Sequence, residues 1–302
     1  MTRRTPVNVA ASVRQRLHDR ARREGVQFQL LLEHFAIERL LYRLQASRHA
    51  GRFILKGAML FRVWEGRTPR QTRDLDLLGQ GEPDEMATLF TEVAGTHITP
   101  DDGVIFDASS VRSEPIRDHT EYRGVRVRMH AHLDSARIPV QVDVGFGDAV
   151  TPDATPAAYP GLLDFPTPTI RMYPRETVVA EKFQAIVSLS TANTRVKDYF
   201  DLWHLGRHYA FDGTDLHRAL RTTFERRETA LPKAAPAGLG AAYLGDVGRV
   251  RQWEAFVERS TEGREAPSFV EAGSAIKGFL LPAVTEGFSA QWTPGGPWQD
   301  KY

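Results

Sequence analysis

The 302-residue sequence contains no cysteine. That excludes a disulfide framework, a thiolate metal site and a cysteine nucleophile. It lacks any apolar run long enough to cross a bilayer. Its opening segment, MTRRTPVNVAASVRQRL, turns polar and arginine-rich before a signal-type apolar stretch can form. The expectation is a cytoplasmic protein with no membrane partner. Low-complexity blocks and internal repeats are also missing, and 41% hydrophobic with 25% charged residues is ordinary globular composition. The length suits one large or two ordinary domains. A net charge of +1 hides an asymmetry, because residues 1–73 carry sixteen Arg/Lys against five Asp/Glu. A basic front beside an acidic remainder suits an enzyme acting on a polyanion and equally suits solvated helix faces.

Periodicity divides the chain. Residues 8–23 and the stretch FQLLLEHFAIERLLYRLQ repeat apolar side chains at helical spacing, with Gly25 between them. RFILKGAMLFRVW reads as a short strand, a break at Lys56-Gly57 and a new helix. TRDLDLLG alternates as a strand. DEMATLFTEVAG is helical, and YRGVRVRMHAHL and IPVQVDVGFG are strands joined by DSAR. Residues 151–169 hold five prolines and read as a connection. Beyond it, PRETVVAEKFQAIVSLS, RVKDYFDLWHLGRHY, LHRALRTTFERRE and VRQWEAFVERS are amphipathic helices, and the tail WTPGGPWQDKY is expected to be loosely held. The expected architecture is α/β: a mixed sheet with basic N-terminal helices in residues 1–150, the proline-rich connection, and a mostly helical domain in 170–302.

The stretch RQTRDLDLLG raises the chemical question. On a strand, Asp74 and Asp76 share one face while Leu75 and Leu77 enter the core. Two carboxylates that close repel, and a divalent cation such as Mg²⁺, with Mn²⁺ able to take its place, relieves the conflict while bridging to nucleotide phosphates. Asp143, on the polar side of a strand whose other side is Val140, Val142, Val144 and Phe146, is the candidate third ligand of a two-metal site, or the base for an attacking hydroxyl. Upstream, the glycine break at Gly57 lets backbone N–H groups approach phosphates. Lys56 and Arg70 offer positive charge and Thr72 a hydroxyl. Arg126, Arg128, His130 and His132 alternate on one strand face; they can track a nucleic-acid backbone or simply be solvated, and the histidines lack a third zinc ligand.

A glycine turn, then Asp-x-Asp on a strand, then a third strand carboxylate resembles the polymerase-β-like nucleotidyltransferases. Gly57 is followed here by Ala58 rather than Gly or Ser, and fifteen residues separate Ala58 from Asp74. Five ordered blocks, RFILKGAMLFRVW, RQTRDLDLLG, VQVDVGFGDAVTP, YPRETVVAEKFQAIVSL and NTRVKDYFDLW, are similar to the AbiEii/AbiGii toxins of type IV toxin–antitoxin systems.

That resemblance implies a polymerase-β-like sheet and a helical C-terminal domain completing the active-site cleft. It also implies transfer of NMP from an NTP with pyrophosphate release, tRNA 3′ ends as acceptors, blocked aminoacylation, and a cognate antitoxin. It assigns Asp74, Asp76 and Asp143 to metal and catalysis, and Lys182 of the AEK block to the triphosphate, although Lys182 read alone is better taken as a snorkelling surface lysine. Asp198 joins the active site by the same likeness, with Lys197 beside it at the nucleotide. Asp201 is open between the site and an i,i+4 pair with Lys197. Arg195 is open between phosphate and loop capping, and Asp148 is expected to organise a turn. The rival functions are nucleotidyl transfer onto a protein side chain, and an NTP-binding regulator that performs no transfer.

Overall fold

Phe53, Ile54 and Leu55 are a short run of bulky apolar residues that a strand can bury on both faces, and they begin the central sheet. The computed structural model describes residues 8–116, 124–261 and 266–301. Arg3 and Arg4 of the basic front, and Tyr122 and Arg123 at the start of one expected strand, lie outside the described residues. Two units divide the chain: residues 1–68, 72–147 and 155–172 in one, and 69–71, 148–154 and 173–302 in the other.

The first unit opens with helices α1 (Val9–Glu24), stopped by Gly25 in the left-handed conformation, and α2 (Phe28–Ala46). Strand β1 (Phe53–Lys56) runs through a tight turn at Gly57 into α3 (Leu60–Glu65), as expected. Then come β2 (Asp74–Gly79), α4 (Met86–Ala94), β3 (Val104–Pro115), β4 (Gly124–Leu133), β5 (Ala136–Phe146), β6 (Thr155–Ala158) and β7 (Thr169–Met172). The sheet order is β3-β4-β5-β2-β1-β7-β6, mixed, with β2/β5 and β1/β7 parallel. Leu75, Leu77, Val142 and Val144 are fully buried, each contributing roughly 2 kcal/mol. That burial fixes the register which turns Asp74, Asp76 and Asp143 to the opposite face.

Helix α2 is less amphipathic than its spacing suggests, because Glu33, His34, Glu38, Arg39 and Arg43 are buried along with its leucines. They tie loops to the helix. Arg43 donates two hydrogen bonds to Asp102, at 2.8 and 3.0 Å, and a third to the Val104 carbonyl; Glu38 accepts from the Leu162 N–H at 2.7 Å.

Two segments of the first unit differ from the sequence expectation. Residues 104–115 form a full strand that escapes a pattern search. It is an edge strand, polar through DASS, with Ile105 70% exposed and a register shift between Asp107 and Arg112. The proline-rich run also returns to the sheet as β6 beside β7.

The second unit holds α5 (Arg175–Leu189), α6 (Val196–His208), β8 (Phe211–Asp212), α7 (Gly213–Arg226), α8 (Ala241–Leu244), α9 (Val247–Ser260), α10 (Phe269–Ala283), β9 (Ala290–Trp292) and β10 (Trp298–Asp300). The tail is not loose. Trp292 lies 4.8 Å from Phe279 between ring centroids, and the Trp292 and Trp298 indoles donate to the carbonyls of Gly206 and Phe279. Its glycines and prolines make the hairpin turn between two anchored tryptophans. Among the described residues no helix is long and apolar enough to cross a membrane.

Candidate active site

Strand pairing lays the charges of the first unit in a row. Lys56 stands opposite Asp76 across β1 and β2, Asp76 beside Asp143 across β2 and β5, and Asp143 opposite Arg126 across β5 and β4. Residues so registered project from the same side of a sheet. The neighbouring row holds Asp74, Gln141 and Arg128. The expected carboxylates Asp74, Asp76 and Asp143, together with Lys56, thus share one sheet face, all half-buried.

Gly57 closes against this face. Its φ is +71°, and a Cβ built on it would lie 2.0 Å from Oδ2 of Asp76. Only glycine permits both the left-handed turn and the approach of that carboxylate. Asp143 is held by Arg126, whose Nε and Nη2 donate to Oδ1 and Oδ2 at 2.8 and 2.7 Å. Those hydrogen bonds, with the charges of Asp143 and Asp74 and against partial burial, stabilise the guanidinium further above its already high value.

The turn leading into β2 is clamped from α2. Glu33 accepts two hydrogen bonds from Arg73, each at 2.9 Å, and Nε2 of His34 lies 2.8 Å from the Thr72 carbonyl. Burial pushes the imidazole down to about 4, aided by Arg62 and Arg73 and opposed by the Thr72 bond. His34 is therefore neutral and donates from Nε2. This clamp is absent from the sequence reading; its signal is a Glu-His pair within an otherwise apolar turn of helix.

A pH dependence follows. Between about pH 6.5 and 4 the unfolded chain binds a proton that folded His34 refuses, so stability falls as pH falls through that window. A shift of this size is worth at most about 3 kcal/mol. His34→Gln, whose amide still donates, is expected to remove about 2 kcal/mol of the stability difference between pH 7 and pH 5 in urea unfolding. Equal pH dependence in both proteins would sink the assignment.

In the second unit, Arg70, Lys182, Asp198 and Asp201 form one buried cluster. Nζ of Lys182 lies 2.7 Å from Asp198 and 2.8 Å from Asp201, while Arg70 donates from Nε and Nη2 to Asp201 at 2.7 and 2.8 Å. Lys182 does not snorkel: its side chain is 14% exposed. Burial disfavours its ammonium, but Asp198 and Asp201 outweigh that, and Arg70's opposing charge, and raise its pKa. Arg70, expected at the phosphates, grips Asp201. Asp201 does not pair with Lys197, which is exposed on α6. Thr72 offers its carbonyl to His34. Asp148 binds Arg227 at 2.8 Å, and Arg227 also reaches Glu181 at 3.2 Å. The Arg195 N–H donates to Asn193, capping the loop before α6.

Among the described residues no three Asp, Glu or His side chains form a ready-made cage for an ion. The face fits a divalent cation in a different way. Asp74 and Asp76 provide hard oxygen donors on one strand face, and the missing side chain at Gly57 lets the Asp76 carboxylate pack directly against the turn. Mg²⁺ is typically held by one or two carboxylates plus water and substrate phosphate.

No curated protein matches this sequence. Two solved structures share the fold. A candidate nucleotidyltransferase from Helicobacter pylori aligns over 86% of this chain and 97% of its own at 15% identity, TM-score 0.50. JHP933 from Helicobacter pylori aligns over 85% and 94% at 14% identity, TM-score 0.51. The sequence pattern described as nucleotidyl transferase AbiEii toxin, type IV TA system, matches residues 39–275. With that match over most of its length, the chain belongs to the AbiEii nucleotidyltransferase toxin family.

Proposed function

We propose that the protein transfers a nucleoside monophosphate from an NTP to the 3′ end of tRNA, releasing pyrophosphate and blocking aminoacylation. The observation carrying this reading is the registered row of Asp76 and Asp143, with Asp74 one row away and Gly57 pressed against Asp76. Asp74 and Asp76 hold Mg²⁺, or Mn²⁺ in its place, which supplies neutralisation of the phosphate charge. The acceptor hydroxyl oxygen bonds to the α-phosphorus as the bond to pyrophosphate breaks. Asp143 either takes the hydroxyl proton or would join Asp76 in holding the cation, the proton then passing to solvent. Lys56 and the backbone N–H groups at the Gly57 turn face the phosphates.

Lys182 and Asp198 contact the nucleotide on this reading, with Lys197 near it; the likeness of the AEK and KDYFDLW blocks supports it. Arg70 acts through Asp201 as a positioning residue. The cognate partner is an antitoxin, as the type IV family implies.

The test is incubation with total tRNA, Mg²⁺ and each α-³²P-labelled NTP, with Asp74→Ala as control. Label on tRNA with wild type alone supports the reading and names the nucleotide. Label confined to a polypeptide band replaces it with protein nucleotidylation. Bound NTP with no pyrophosphate released replaces it with a non-catalytic regulator.

A further inference from the structure

A large apolar pocket lies wholly within the second unit, on residues that take no part in the proposed transfer. One face of α6, one face of α10 and the β9/β10 hairpin wall it, and its volume is about 900 Å³. Pockets that hold small organic ligands span roughly 300–1,000 Å³ and are mostly apolar, with a few placed polar groups. Trp203, Phe279, Trp292 and Trp298 supply aromatic walls. The indole N–H groups of Trp292 and Trp298 already donate to the Gly206 and Phe279 carbonyls. These two rings therefore offer the pocket carbon surface.

Small residues keep the floor low. Ala275 and Gly278 stand on the exposed side of α10, and a Cβ built on Gly278 meets nothing within 4 Å. Glycine weakens a helix interior relative to alanine, and the backbone does not require it here, since Gly278 is not left-handed. What its missing side chain leaves is open space.

The two charged residues lining the pocket stand apart. Tyr199 packs on Phe269 and Gly206 on Phe279, so α6 and α10 run side by side in the same direction. Arg207 is thus level with the last turns of α10, whereas Glu271 comes two turns before Phe279, about 12 Å along the helix axis. Glu271 is also engaged, accepting from the Ser268 N–H and hydroxyl at 2.8 Å each in the capping box of α10.

Arg207 has no such tie. Among the described residues no carboxylate pairs with it, and it lies along the hairpin, where a Cβ on Gly295 would be 2.7 Å from its Nη1. Gly295 is left-handed at φ +85° and donates its N–H to the Gly206 carbonyl at 2.9 Å. That turn makes the room in which the guanidinium sits. Among the described residues no other Lys or Arg lines the pocket, so it suits a single anionic group and not a polyanion, which needs a run of cations. We propose that this pocket binds a small organic anion, its aromatic or aliphatic body against the tryptophans and its carboxylate on Arg207. A planar guanidinium matches the fork of a carboxylate. The inference stands apart from the transfer reading, because the two share no residue.

The test is a ligand-observed NMR titration of the full chain with 2-naphthoate and with its neutral isostere 2-naphthamide. Wild type is expected to bind naphthoate at least about tenfold more tightly than naphthamide, the scale of one charge-assisted hydrogen-bonded contact. Arg207→Gln is expected to bind the two compounds alike, with its affinity for naphthamide unchanged. Gly278→Leu projects a side chain into the open floor. It is expected to bind neither compound while remaining folded, leucine being a better helix former than glycine. Ala275→Leu, on the same side of α10, serves if that variant fails to fold. No binding of naphthoate to wild type, equal affinity for the two compounds, or a preference that survives Arg207→Gln overturns the proposal. Naphthoate binding retained in a folded Gly278→Leu or Ala275→Leu protein overturns it as well, because the ligand then sits elsewhere.

Discussion

Alanine in place of Gly57 is expected to lower nucleotidyl transfer about a hundredfold or more, the scale on which an ångström of misplacement at a reacting centre is felt. Two independent effects act at this residue. The backbone is left-handed, with φ of +71°, which costs a residue with a Cβ roughly 1–2 kcal/mol. The new methyl group would also lie 2.0 Å from Oδ2, 2.6 Å from Cγ and 2.7 Å from Cβ of Asp76. No side-chain rotation clears a contact with the Asp76 Cβ itself, so either the turn or strand β2 must shift. A shift moves Asp76 relative to Asp74 and Asp143, and metal affinity should fall along with transfer. Measured kcat and Mn²⁺ affinity close to wild type, in a folded Gly57→Ala protein, would remove Gly57 from the site. This glycine is not a generic turn residue: Gly25, also left-handed at φ +69°, has nothing within 4 Å of its built Cβ. Alanine there should cost strain alone.

The contrast between these glycines marks what a sequence can reveal. Alternation in DLDLLG and VQVDVGF is a local property, and it correctly sends Leu75, Leu77, Val142 and Val144 inward. That Asp76 stands beside Asp143, with Lys56 and Arg126 flanking them, depends on sheet order and register, which no local period encodes. Arg126 shows the difficulty well. From sequence it belongs with Arg128, His130 and His132 as a basic strand face, because they share its period; only pairing with β5 distinguishes it. Edge strand β3 was hidden because half its residues face solvent and its middle is Ser- and Asp-rich. The tail was hidden because Pro-Gly-Gly-Pro reads as disorder until Trp292 and Trp298 find Phe279. Lys182 was ambiguous for the converse reason. A lysine between apolar residues snorkels unless partners are buried with it, and those partners, Asp198 and Asp201, come from a different helix.

Those two aspartates should behave differently when neutralised. Asp201 is fully buried and receives both Arg70 and Lys182. Burial alone would raise its pKa, but Arg70 and Lys182 outweigh burial and hold the carboxyl well below the usual range. Asp201→Asn leaves two buried cations facing the single carboxylate of Asp198, and removing one partner from a buried ion cluster costs about 3–5 kcal/mol. Asp198→Asn removes only one of Lys182's two anions and leaves Arg70 paired, so its loss of stability should be clearly smaller. The family assignment predicts the opposite order for chemistry, with transfer lost in Asp198→Asn while the protein remains folded. Urea unfolding and tRNA labelling on the two variants separate the roles. The pH dependence gives a further check. A carboxylate with a depressed folded pKa contributes its full stability above the unfolded value and loses it as pH falls through the folded one. The destabilisation caused by Asp201→Asn should therefore stay constant from pH 8 to pH 5, across much of the range where the His34 contribution changes. If it shrinks over that range, Asp201 is not the ionised partner of Arg70 and Lys182, and the cluster cannot be what keeps the Lys182 ammonium charged.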